Sequence, residues 1–72
     1  MNGKTKNFVV SWFRFEHGHE TDAMIGNERR FETAERAIEF LKRRAAIISG
    51  LYWAGGVVEN EAGEIIYEIL SD

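Results

Sequence analysis

His17 and His19, separated by Gly18 and followed by Glu20 and Asp22, form the only arrangement in this 72-residue chain with metal-ligand character. Two imidazoles at i and i+2 can point to one side of an extended segment, and a neighbouring carboxylate would complete a three-ligand divalent site with an open position. Histidine beside glycine is also ordinary turn chemistry, and no helical His-x-x-x-His spacing supports the pair. An exposed turn is therefore the plainer expectation for His17 and His19, with metal binding as the sharper alternative.

A second candidate is basic. Arg36, Arg43 and Arg44 recur at helical spacing and could follow a phosphate backbone. The same arginines are equally explained by i, i+4 pairing of Glu32 with Arg36 and Glu39 with Arg43, and by cations placed near the negative end of a helix dipole. A nucleic-acid binder usually has a basic domain, and the net charge of −3 makes nucleic acid an unexpected partner.

Other chemistry is poorly supplied. The chain has no cysteine. Ser11 falls inside a strand pattern, Ser49 at a helix end and Ser71 beside the terminus, none in a sharp strand-to-helix turn that would expose a nucleophile. Neither G-x-G-x-x-G nor G-x-x-x-x-G-K-[ST] occurs, and Gly55-Gly56 reads as a bulge or a close packing point. The expectation is a non-enzymatic protein without a cofactor.

The elements that would hold these groups follow from periodicity. From Thr33 to about Ile48, Ala34, Ala37, Ile38, Leu41, Ala45 and Ile48 keep to one helical face, with Glu35, Glu39 and Arg43 opposite. Thr33 is placed as the N-cap and Gly50 as the stop. Around this helix the period becomes two. Phe8 to Phe15, Leu51 to Val58 and Glu64 to Leu70 read as strands rich in β-branched and aromatic residues. Glu59-Asn60-Glu61-Ala62-Gly63 is the connection of an antiparallel hairpin, closed by a left-handed glycine. A turn at Glu16-His17-Gly18-His19 with a strand from Thr21 to Ile25, and a bend at Gly26-Asn27, completes a β-β-α-β-β order. One helix covers one face of a sheet, so the expected fold is an α+β two-layer sandwich. The whole chain should form one domain, with residues 1–6 as a flexible tail.

With 44% hydrophobic and 29% charged residues the chain belongs to the ordinary globular class. The longest apolar run, Leu51 to Val58, is far shorter than the roughly 20 residues of a membrane-spanning helix. A cytoplasmic protein that does not enter membranes is the expectation.

The sheet face away from the helix is where function is expected. In the first strand Arg14 alternates in phase with Phe8, Val10 and Trp12, which assigns that set to the solvent side. In the last strand Glu64 and Glu68 bring Ile66 and Leu70 with them, leaving Ile65, Tyr67 and Ile69 beneath the helix. Ala54 and Gly56 alternate with Trp53 and would allow the helix to approach, which places Trp53 outward, with Tyr52 the other candidate. Phe8, Val10, Trp12, Trp53, Ile66 and Leu70 would then form an apolar patch, the mark of an interaction surface. A homodimer that joins these faces, or another protein partner, would enlarge the core of a marginal domain.

Overall fold

Residues 7–17, 23–48 and 52–70 are described by a computed structural model. β1 (Phe8–Phe15), β2 (Met24–Phe31), α1 (Ala34–Ile47), β3 (Trp53–Glu59) and β4 (Ile65–Leu70) follow in that order. The strands form one antiparallel sheet ordered β2-β1-β3-β4, and α1 packs across one side of it. This is the expected two-layer α+β arrangement.

α1 begins where its sequence cues place it. The Thr33 hydroxyl accepts the Arg36 amide N–H at 3.2 Å, satisfying one of the donors that the first turn leaves open. At the other end the Ile48 N–H donates to the Arg44 carbonyl at 2.9 Å. Ala37 and Leu41, one turn apart, are the buried residues of the helix.

The β3–β4 loop is organised by Asn60. Its side-chain oxygen accepts the N–H groups of Ala62 and Glu64, both at 2.9 Å, while its amide donates to the Glu64 carboxylate at 3.0 Å. Gly63 closes the loop at φ +83°, a conformation that side-chain-bearing residues rarely adopt.

β2 differs from expectation. It runs straight through Gly26-Asn27 to Phe31, and each residue from Met24 onward pairs with β1, from Phe15 back to Phe8. The sequence MIGNERRF has no hydrophobic alternation of its own. Its partner strand sets its length, as often happens at a sheet edge, where one neighbour supplies the hydrogen bonds.

The core consists of Val10, Trp12, Ala37, Leu41, Trp53 and Val58. Phe8, Phe31, Ile38, Phe40, Ala45, Ile48, Tyr67 and Ile69 pack around it. The expected orientation of β1 is therefore reversed: Val10 is fully buried, Trp12 is 8% exposed, and Phe8 lies on the helix side with them. Arg14 is in phase with this buried set but stands at the strand end, half-buried, where a long aliphatic stem can carry its charge to water from either face.

Trp53 is also a core residue, 5% exposed, and its indole N–H donates to the Ile69 carbonyl at 3.3 Å. The outward assignment fails because β3 carries an irregularity. Phe13 pairs with Gly55 but Arg14 pairs with Trp53, so Ala54 is an additional residue and Trp53 turns to the same side as Gly56. Gly55 takes φ +130° at this point. A Cβ on Gly56 would lie 2.6 Å from Leu41 Cδ1, so the glycine is what lets the helix sit down on the sheet.

Candidate interaction surfaces

Among the described residues, three surfaces stand outside the core: the bare sheet face, the outer edge of β4, and the side where β2 meets α1. On the bare face the strand registers set Arg30, Val9 and Glu59 in one row, Glu28, Ser11, Val57 and Glu68 in the next, and Gly26, Phe13, Gly55 and Leu70 in a third. Arg30 and Glu28 pair across 3.3 Å on this face. Phe13 lies over Gly26, where a Cβ would meet its ring at 2.8 Å. Polarity thus runs along the face, charged toward the Val9 end and apolar toward Phe13, Met24 and Leu70, which are 41%, 61% and 68% exposed.

Of the six residues expected to form an apolar patch, Ile66 and Leu70 alone are on the open surface. Both belong to β4. Ile65, expected beneath the helix, is 55% exposed. The register shifts between Val58 and Glu59, so Ile65 stands opposite Glu59 and leaves the inward series of Tyr67 and Ile69. Phe8 and Ile66 also meet at an open depression with Asn7, Asn60, Glu61 and Ala62. Tyr52 is partly exposed beside the start of β3, and its carbonyl accepts the Phe15 N–H at 2.7 Å.

The two edges of the sheet are chemically unlike. β2 presents Asn27, Glu28, Arg29 and Arg30 in succession, whereas β4, IIYEIL, carries Glu68 as its single charge. An apolar strand with one unpaired side is a template for another strand, and charged residues on an edge oppose that.

On the β2 side, α1 contributes Arg36, Arg43 and Arg44, and β2 adds Arg29, opposite Val10 on the helix-facing side of the sheet. The Arg29 guanidinium lies 5.6 Å from the Phe31 ring centre and 5.2 Å from that of Phe40. Arg44 lies 5.0 Å from Phe40 and 5.6 Å from Trp12. Arg36 and Arg43 line a shallow depression with Phe31, Glu39 and Phe40. Of the two helix pairs read from the sequence, Glu39–Arg43 spans 3.8 Å between exposed side chains, worth little in stability. The three expected arginines are thus drawn to one side, joined by Arg29. That arginine escapes a helix-only search, although its place opposite a core valine follows once β2 is paired with β1.

Of the expected metal site, His17 is exposed, with Nε2 3.7 Å from Glu16 Oε2. His19, Glu20 and Asp22 lie outside the described residues. Among the described residues, no group of three or more His, Asp or Glu is placed to hold a metal ion, and no helix is long and apolar enough to cross a membrane. No protein-family model, curated protein or solved structure significantly matches the chain.

Proposed function

We propose that this protein is a non-catalytic interaction module that self-associates, with β4 as the strand that joins two copies. The observation that carries this reading is the β4 edge, where Ile65, Ile66 and Leu70 are 55%, 39% and 68% exposed on a strand with one charge.

The second copy is favoured over an unrelated partner by the pattern of the strand itself. A two-fold axis perpendicular to the sheet and centred on Tyr67 sets Ile65 against the partner's Ile69 and Ile66 against the partner's Glu68. Both helices then lie on the same side of one continuous antiparallel sheet, which removes both free β4 edges at once. Moving the axis to Glu68 would set two carboxylates directly opposite each other, which is destabilising, so the strand specifies its own register. The exposed apolar side chains along β4 and at the Phe13 end of the bare face adjoin one another, the kind of patch that marks an interface. So small a domain also gains the most from a shared core.

Light scattering coupled to size exclusion tests this over a concentration series. The expected mass is twice the 8.3 kDa of the chain, reverting to one copy in Ile66→Lys and Leu70→Lys variants whose circular dichroism is unchanged. A single-copy mass for the unaltered protein at its highest soluble concentration would overturn the reading.

A further inference from the structure

We infer that the side formed by α1 and β2 is a binding site for the phosphate backbone of nucleic acid, read by charge and not by base sequence. The site is organised around Phe40. The Arg29 and Arg44 guanidinium carbons lie over its ring, at 5.2 and 5.0 Å, and Arg36 and Arg43 flank the depression that Phe40 and Phe31 line.

Stacking occupies the flat face of a guanidinium and leaves its in-plane N–H donors available. The contact with Phe40 restrains the Arg29 and Arg44 side chains, so less side-chain freedom is lost when they take an anion. Among the described residues, Arg29, Arg36 and Arg44 form no ion pair, and Arg43 has only the 3.8 Å exposed contact with Glu39. Arg30, which points to the bare face and pairs with Glu28, reaches a second depression at the β2 edge with Arg29, Phe31, Glu32 and Arg36.

The charge distribution sets the occupant apart. Residues 29–44 hold six cations against three carboxylates, whereas residues 59–72 hold only acidic charges. An acidic protein that gathers four arginines at one place accumulates local repulsion that an anion relieves. Arginine and not lysine makes up all four, and the planar guanidinium matches the oxygens of a phosphate. The spread of the four groups over a helix and the adjoining strand suits a polymer with repeated charges better than a single ion.

Fluorescence anisotropy with labelled 20-mers of single-stranded RNA, single-stranded DNA and duplex DNA, titrated from low to physiological salt, tests the site. Four phosphate contacts give a log–log salt slope of about −3 for single strands. The double variant Arg36→Gln/Arg43→Gln, both exposed positions, should bind about tenfold more weakly or worse and lose about half of that slope. Glu61→Gln/Glu64→Gln, in the acidic hairpin, should not weaken binding. Which of the three nucleic acids binds best identifies the source of the phosphate chain. The inference is overturned by no anisotropy change at low salt, by unaltered binding in the arginine double variant, or by equal competition from polyglutamate, which would make the ligand an acidic polypeptide. The result is independent of the oligomeric state, because the arginines stand on the β2 side and the strand proposed to pair stands at the opposite edge.

Discussion

The two outer strands of the sheet, β2 and β4, have the same structural problem and solve it differently. Among the described residues, each has one hydrogen-bonded neighbour and one open side. β2 carries Asn27, Glu28, Arg29 and Arg30, with Arg29 pointing to the helix side where an incoming strand would have to displace its stacking on Phe31 and Phe40. β4 alternates isoleucine, tyrosine and leucine around one glutamate. An edge strand guarded by charge resists pairing, and one that is not guarded invites it. The proposed strand partner and the proposed anionic partner therefore fall at opposite edges of one small sheet.

The largest effect should come from removing what both edges share. Leu41 is fully buried over Gly56, and Leu41→Ala should cost about 2–5 kcal/mol. A fall in melting temperature of about 10 °C or more is expected by thermal circular dichroism, with loss of both binding properties; a shift of a degree or two would mean that the helix does not hold the sheet. A change confined to one edge is smaller. Asn60→Ala removes the oxygen that accepts from Ala62 and Glu64, costing about 1–2 kcal/mol. Hydrogen exchange should show faster amide exchange along β4 while β2 keeps its protection, and equal loss on both edges would contradict the assignment of Asn60 to the β4 side. The smallest effect is expected for Arg29→Met, which keeps the length of the side chain and removes its charge. The loss of stacking should lower stability by about 0.5–1 kcal/mol in denaturant titration, and the β2 edge should then begin to associate, making the two edges alike. Unchanged association in that variant would show that Arg29 does not guard the strand.

Much of the fold was legible in the chain because its signals are local. The Thr33 cap, the helical spacing of Ala37 and Leu41, the Asn60–Gly63 loop and the alternation of β1 depend on residues a few positions apart. The length of β2 was not legible, since MIGNERRF takes its conformation from its pairing with β1 and not from its own pattern. The interaction surface was misread for a different reason. The charge of Arg14 does not report which side of β1 meets water, because a charge at a strand end can reach solvent from either side. Simple alternation from Gly56 puts Trp53 outward, and the extra residue at Ala54, invisible in the sequence pattern, reverses it. Ile66 and Leu70, judged by the two glutamates that flank them within β4, were placed correctly on the open side. The arginine site was half legible: Arg36, Arg43 and Arg44 stand out on the helix, while Arg29 joins them only through the pairing of two strands.

Ala54 works as a phase changer in the strand that contains it. Residues after it follow one alternation and residues before it the other, so a single inserted position brings an indole and a side-chain-free backbone site beneath the same helix. The same residues paired in regular register through Ala54, without the bulge, would keep composition and hydropathy unchanged yet rotate Trp53 into water and open a void beneath Leu41. Deleting Ala54, by contrast, should leave Trp53 opposite Arg14 and still beneath the helix, because the position removed is the one the ladder already skips.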